Sequence, residues 1–566
     1  MQKKWQKTQG IKYNTFIIKT IHCTDLNPLE SKNSSPDSEL QEAIAKRRTF
    51  AIISHPDAGK TTLTEKLLLY SGMIHTAGMV RGRKGRKAAA SDWMAMEQER
   101  GISITASAMQ FPYKGAVINV LDTPGHEDFS EDTYRTLTAA DCAIMVIDAA
   151  KGVEKQTRKL FEVCNLRKIP VLTFINKMDM PGREPLDLMN EVEAVLGIHS
   201  TAFNWPIGTG KEFCGVVDRM NNNECLLFSK VSVGGAQRAE VTRYPLESDE
   251  VKAAVGKDNY QQLIQDLELL ELAGNSFSEE TFLAGEITPV FFASALTNFG
   301  VEPFFDAFVH LAPPPQARAV IRQDKQEAFL DPVKHPFSAY VFKIQANMDK
   351  RHRDSMAFLR ICSGRFERDL VVKHHRLKRE VRLSRPHGMV AGERSTLDLA
   401  YAGDIVGVIN PGVFAVGDTI SLTGDGNFKP MPQFQPEIFA KVQPKDVGKR
   451  KAFDKGVAQL AEEGAIQLLK PYDLSGDIIF AAVGQLQFEV MQYRLKDEYG
   501  VGTLLTPLPY RCSAWLIGDQ ATFQKTSHAM IVQDKHERPM VLFSEQWEKQ
   551  YAIKQNPNHQ LVDILS

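Results

Sequence analysis

The sequence contains no Cys-x-x-Cys pair, and its seven cysteines stand singly at 23, 142, 164, 214, 225, 362 and 512. An odd, scattered set excludes a disulfide framework and a zinc ribbon and suits a reducing compartment, so a cytoplasmic protein is expected. No apolar stretch is long enough to cross a bilayer, and no membrane association is expected. No internal repeat is visible. Charge of one sign is also missing. With 68 Lys and Arg against 69 Asp and Glu, the net charge of -1 exerts no global pull on a polyanion, so any nucleic-acid partner must be met by a local patch. What is present is a 566-residue chain with 43% hydrophobic and 24% charged residues, a composition typical of soluble globular proteins. That length implies three or four domains.

Four short strings occur in a telling order. Ser54-His-Pro-Asp-Ala-Gly-Lys-Thr61 follows the apolar run Thr49-Phe-Ala-Ile-Ile53 and precedes a helical pattern from Thr61 to Tyr70. Strand, loop and helix are the context a phosphate loop needs, because backbone N–H groups at a helix N-terminus attract phosphate oxygens. Lys60 can reach the β- and γ-phosphates, and the Thr61 hydroxyl can hold Mg²⁺. Ser54 replaces the glycine of the generic pattern, which is tolerable only at negative φ.

Asp122-Thr123-Pro124-Gly125-His126 ends the next buried-strand run, Ala116–Leu121. Asp122 can hold Mg²⁺ through water, and Gly125 lets a backbone N–H approach the γ-phosphate. His126 is placed to orient an attacking water, a mostly positional task. Asn176-Lys177-Met178-Asp179 ends the run Val171–Ile175 and supplies base identity. The Asp179 carboxylate can accept from the N1–H and exocyclic amine of guanine, a donor pair adenine lacks, and a site built for such a pair penalises the analogue without it. Ser294-Ala295-Leu296, after the strand Val290–Phe292, can add a backbone contact to the guanine oxygen. A GTP/GDP site with Mg²⁺ is therefore expected, in a parallel sheet whose ligands sit at the strands' carboxyl ends.

The fold class expected is multidomain α/β and β. Residues 1–38, with five Lys before Asp25 and then a Ser-rich polar run, read as a flexible N-terminal extension, with a targeting peptide as the alternative. A GTPase domain is expected over 39–316, with an inserted subdomain at about 205–280, because the chain between Asp179 and Ser294 far exceeds one helix and its turns. Leu311-Ala-Pro-Pro-Pro315 reads as a stiff linker. Short Val/Ile/Phe runs separated by glycines imply a β-barrel domain within 317–431. The order βαββαβ from Glu437 to Leu505 implies a ferredoxin-like α+β domain over 432–566 with a C-terminal extension.

Two basic regions interrupt the neutral background. Arg81-Gly-Arg-Lys-Gly-Arg-Lys87 is either a solvated loop or part of a switch that orders around the γ-phosphate, with Ser103 reaching Mg²⁺. From Lys350 to Arg385, twelve Lys and Arg face four Asp and Glu, which makes the barrel face the better candidate for RNA.

The motif order resembles that of translational GTPases. The wording of Ser54–Thr61, Ser91-Asp-Trp-Met94, Glu99-Arg-Gly-Ile-Ser-Ile104, Asp122–Arg135 and Phe342-Lys-Ile-Gln-Ala-Asn347 is most similar to the bacterial peptide chain release factor 3 family, as are Gly484-Gln-Leu-Gln-Phe-Glu489 and Arg494-Leu-Lys496. The resemblance spans about residues 40 to 510. It implies a ribosome-stimulated GTPase that meets ribosomal RNA and proteins, acts as a monomer and expels class I release factors after peptide release. By that likeness His126 positions the water, and Thr61 and Ser103 are Mg²⁺ ligands. Three other readings compete. An elongation-factor-G-like translocase needs a long arm, for which the 144 residues after Leu422 (566 minus 422) leave no room. A phosphate-loop metabolic kinase would not need the Asn-Lys-x-Asp box. A non-hydrolysing GTP-binding scaffold would not need His126.

Overall fold

The computed structural model describes residues 36–74, 107–229, 238–346, 355–384, 386–390, 393–431, 433–472 and 477–565. Most of the N-terminal extension, the basic run 81–87, the strings at 91–94 and 99–104, and Ser103 fall outside the described residues.

A seven-stranded sheet organises the first domain. Its strands are β1 (Arg47–Ser54), β2 (Ser107–Tyr113), β3 (Ala116–Asp122), β4 (Cys142–Asp148), β5 (Val171–Asn176), β6 (His199–Ala202) and, after an insertion, β11 (Ile287–Phe292). The order is β2-β3-β1-β4-β5-β11-β6, parallel except for β2. β1, β4 and β5 are apolar almost throughout because both faces of the sheet are covered. Phe50, Ile52, Ile144, Val146, Leu172 and Phe174 pack under the helices Lys60–Tyr70 and Val301–Leu311, the latter through Phe304, Phe305 and Phe308. Alternate residues Ala51, Ile53, Met145, Ile147 and Ile175 bury Leu137, Leu160, Phe161 and Leu188 on the other face. β6 was not anticipated, since His-Ser-Thr-Ala carries no apolar run and is strand only because β11 pairs with it.

The insertion holds four antiparallel strands, β7 (Asn204–Ile207), β8 (Gly215–Asp218), β9 (Glu224–Phe228) and β10 (Val241–Tyr244), followed by helices Asp249–Val255, Lys257–Ala273 and Glu279–Leu283. The Trp205 Nε1–H donates to Asp266 Oδ2 at 3.2 Å, tying the long helix to this sheet.

The second domain is built on eight antiparallel strands between Ser338 and Ser421, around Val341, Leu359, Ile361, Phe366, Val406, Val408 and Ile420. It is stapled to the first by a buried polar knot. Asp141, immediately before β4, accepts from Arg318 Nη2 at 2.8 Å and from Arg360 Nη2, while Arg360 Nη1 donates to Thr49 Oγ1 at 2.8 Å and to the Gly403 carbonyl. Arg360, counted in sequence as part of the basic face, is 1% exposed and spent on this knot. Among the described residues the exposed cations of that region are Arg365 and Arg368 and, on the hairpin Val371–His374 and Arg379–Arg382 and its turn, Lys373, Arg376, Lys378, Arg379 and Arg382, while Lys350, Arg351, Arg353 and Arg385 fall outside the described residues.

In the third domain, strands Ile438–Pro444, Gln467–Pro471, Ile479–Ala482 and Thr503–Pro507 alternate with helices Arg450–Glu463 and Gln485–Tyr499 as βαββαβ. Lys470 and Pro471 pair with Gln533 and Val532, so the sheet continues into strands Met530–Gln533, Pro539–Phe543, Cys512–Ile517 and Gln560–Val562, with helix Gln546–Gln555 packed on them. The C-terminal segment is thus a second half of the same eight-stranded sheet. Among the described residues no helix is long and apolar enough to cross a membrane.

Candidate functional site

The four strings converge at the carboxyl ends of β1, β3, β5 and β11. The loop after β1 turns on Asp57 (φ 65°) and Gly59 (φ 101°), whereas Ser54 is not among the residues of positive φ and so needs no glycine. Ser54 Oγ donates to the His55 carbonyl at 2.9 Å. A Cβ on Gly59 would lie 2.2 Å from Asn176 Nδ2, so the loop is pressed against the base-recognition segment. Helix Lys60–Tyr70 begins at Gly59 with no side-chain cap, which leaves its first N–H groups available to an anion.

Asp122 closes β3 and lies beside Lys60, whose Nζ is 2.7 Å from Asp122 Oδ1 and also donates to the Thr123 carbonyl. Thr123 Oγ1 donates to the Ile52 carbonyl at 2.6 Å, anchoring the turn to β1. Gly125 brings its backbone to the phosphate loop, with its Cβ position 3.7 Å from Pro56 Cα. His126, 39% exposed at its side chain, has Nδ1 3.3 Å from Asp128. Thr61, second in the helix, and Asp122 present a hydroxyl and a carboxylate, hard oxygen donors of the kind Mg²⁺ takes alongside phosphates. Among the described residues no group of three or more His, Cys, Asp or Glu gathers into a metal cage.

Asn176 is the keystone of the other half. Its Nδ2 donates to the Ala58 carbonyl at 2.7 Å and its Oδ1 accepts the Ala295 N–H at 2.9 Å, joining the phosphate loop to Ser294-Ala295-Leu296. Lys177 (φ 69°) turns the chain and pairs with Asp148 Oδ2 at 2.7 Å. Met178 is buried, and its N–H donates to the Ala293 carbonyl at 3.2 Å. Asp179 Oδ1 is buried and, among the described residues, has no hydrogen-bond partner. An orphaned carboxylate oxygen is costly unless a donor arrives, and the guanine N1–H and amine are such donors. Ser294 is fully buried, its Oγ accepting the Thr297 N–H at 3.2 Å and so shaping the turn, while Leu296 is 47% exposed at the rim. His55 is buried within 3.0 Å of Glu154 Oε2 without hydrogen-bond alignment, and desolvation pulls its pKa down. The residues thus fit a guanine nucleotide.

Three contributors were missed in sequence. Asp148, at the end of β4, pairs with Lys177, and Glu154, just before the helix Lys155–Leu166, approaches His55, and no motif marks either. Asp128 is the third. It lies in the acidic run after His126, a signal that was legible although its partner in the third domain was not.

Residues 45–314 match the family described as Elongation factor Tu GTP binding domain, residues 336–423 Elongation factor G domain 2, and residues 428–553 Class II release factor RF3, C-terminal domain. A Peptide chain release factor 3 of Synechocystis sp. is 50% identical over 513 residues, covering 90% of this chain and 93% of its own length. That of Microcystis aeruginosa is 50% identical over 531 residues, covering 93% and 96%. A Thermus thermophilus protein of known crystal structure superposes with a TM-score of 0.65 at 20% identity, over 87% of this chain and 72% of its own, a likeness of fold.

Proposed function

The chain belongs to the peptide chain release factor 3 family of translational GTPases, and from that membership we propose that it works on the ribosome, in the cytoplasm, to drive class I release factors off after the peptide has been released. The observation that carries the reading is the C-terminal match at 428–553 behind a complete GTPase domain. A translocase of the elongation factor G type shares the first two domains but not that third one.

In this reading the phosphate-loop N–H groups between Ser54 and Thr61 bind the β-phosphate, and Lys60 leaves Asp122 to reach the β/γ oxygens. Thr61, with Ser103 as a second hydroxyl and Asp122 acting through water, would hold Mg²⁺, which when bound neutralises charge developing on the phosphates. The Gly125 N–H meets the γ-phosphate, so the turn Asp122–His126 senses its presence. His126 orients the attacking water. Asn176, Lys177, Met178 and Asp179, with the backbone at Ser294, Ala295 and Leu296, fix the base. Cations of the barrel hairpin, Lys373, Arg376, Lys378, Arg379 and Arg382, meet ribosomal RNA phosphates, and their contribution weakens with salt. The protein acts as a monomer without membrane contact.

The test is direct. Ribosomes carrying a labelled class I release factor after peptide release are mixed with the protein and GTP, and dissociation is followed. Acceleration over buffer and over GDP is expected, and no acceleration would sink the proposal.

A further inference from the structure

The acidic run that follows His126 has a use that nucleotide chemistry does not explain. Asp128 sits in the 3-10 turn Glu127–Phe129 and spans two domains with one carboxylate. Its Oδ2 accepts the Leu486 N–H at 2.6 Å, at the first turn of helix Gln485–Tyr499 in the third domain. That helix begins at Gly484, which has no side chain to cap it, and Gln487 Oε1 returns only to the Val483 and Gly484 amides at 2.7 and 3.3 Å. Asp128 therefore supplies, from another domain, the oxygen that an Asp or Ser normally supplies from the N-cap position. The fit is close, since a Cβ on Gly484 would fall 2.0 Å from Asp128 Cγ. Gly484 is extended at φ -143°, a conformation any residue adopts, so proximity alone demands glycine there. Phe129, Leu486 and Val490, with Tyr493, form a small apolar cluster that seats the contact.

The same residue presents two opposite partners to His126. Asp128 Oδ1 lies 3.3 Å from His126 Nδ1, and the Asp128 backbone N–H lies 3.3 Å from that nitrogen as well. One imidazole nitrogen cannot donate to the carboxylate and accept from the amide at once. In the docked structure the hydrogen bond formed is the one from the Asp128 N–H, so Nδ1 is the acceptor and Nε2 carries the proton, while the carboxylate is held on the Leu486 N–H. With the carboxylate released from the helix and turned to the ring, Nδ1 carries the proton and donates to it, the proton having moved by exchange with solvent, and Nε2 becomes an acceptor.

We propose that Asp128 is the positioning residue of His126, and that docking of the third domain, by holding the Asp128 carboxylate on helix Gln485–Tyr499, sets which nitrogen of His126 bears the proton. This rests on the reading of His126 as the residue that orients the attacking water. The docked arrangement gives Nε2 a proton to donate to that water, and undocking turns Nε2 into an acceptor. Hydrolysis is thereby coupled to the third domain through one side chain.

The experiment is single-turnover GTP hydrolysis by the full chain on ribosomes across a pH series, with nucleotide affinity measured separately by a fluorescent GDP. Asp128→Ala and Gly484→Ala should each slow hydrolysis by about 10- to 100-fold, as expected for misplacing a catalytic group by an ångström or so, while leaving affinity unchanged. The double variant should be no slower than Asp128→Ala alone, because the added methyl then has no carboxylate to displace. Asp128→Asn separates cap from tautomer. Its amide oxygen still caps Leu486 and its backbone N–H still donates to Nδ1, while its NH₂ cannot accept from that nitrogen, so it should keep full rate with an altered pH profile while hydrogen-exchange protection of residues 485–499 persists. Gly484→Ala should lose that protection. Full rate in Asp128→Ala, an Asp128→Asn as slow as Asp128→Ala, or additive losses in the double variant would overturn the proposal. Full rate in His126→Ala would overturn the reading beneath it, whereas an inactive His126→Ala beside an active Asp128→Ala removes only the role of Asp128.

Discussion

Replacing Asp141 by alanine is expected to cost about 5 kcal/mol of stability, the upper end of what removing one partner from a buried ion pair costs. The structure sets that magnitude. The Asp141 side chain is 0% exposed and answers two guanidinium groups, Arg318 at 19% and Arg360 at 1% exposure. Burial opposes the charge of Arg318, and Asp141 foremost, with Tyr340 and Cys362, more than offsets that, raising its pKa overall. Without the carboxylate, Arg318 keeps the Thr138 and Ala140 carbonyls at 3.0 and 2.7 Å, and Arg360 keeps Thr49 and Gly403, but two cations face each other out of water. At about 2–4 °C per kcal/mol for a domain of this size, the melting temperature should fall by about 10 °C or more. Because the knot joins β1 and β4 to the barrel, the first two domains should also cease to melt together. Scanning calorimetry at a fixed, saturating GDP concentration is the assay, since ligand linkage moves melting temperatures. Arg360→Met in the Asp141→Ala background should recover part of the loss by removing the stranded cation, with a coupling of about 2–3 kcal/mol. A loss below about 1 kcal/mol, or a double variant whose loss is the simple sum, would refute the argument.

Asp179→Ala should weaken GTP by about 2–3 kcal/mol, the value of hydrogen bonds to a charged acceptor, and leave weak ATP binding unchanged, and equal losses for both in calorimetric titration would contradict it. Gly59→Ala should abolish nucleotide binding, because its Cβ would lie 2.2 Å from Asn176 Nδ2 at a φ of 101°, and retained binding of a fluorescent GDP would count against that packing. Burial pulls Lys66 down to about 8 from 10.5. The unfolded chain then holds the extra proton between pH 8 and 10.5, so stability rises with pH across that window and the penalty is full below it. Lys66→Met should stabilise the protein at pH 7 by up to about 3 kcal/mol, and the difference from wild type in urea unfolding should shrink toward pH 10.5, a constant difference arguing against it.

The nucleotide site was legible because its chemistry is local. A phosphate loop, a metal-side aspartate and a base-reading box are each a few consecutive residues whose spacing follows from one turn or one strand end, and Ser54-His-Pro-Asp-Ala-Gly-Lys-Thr61, Asp122–His126 and Asn176–Asp179 read as such in isolation. The alternation βαββαβ of the third domain was equally plain, since strand and helix periods differ and glycines at 464 and 500 end its helices. The tertiary structure decided everything that depends on residues distant in sequence. β6 is a strand because β11 lies beside it. Arg360 looks like surface charge and is core, because Asp141 meets it from 219 positions away. Asn176 locks to Ala58 and Ala295 across gaps no motif encodes. Asp128 reads as one acid in an acidic run until helix Gln485–Tyr499 arrives to be capped by it. Local pattern names the nucleotide, because a phosphate and a base are each met by a few neighbouring residues. How hydrolysis is tied to the rest of the chain depends on buried contacts between domains, which only the folded packing brings within hydrogen-bond reach.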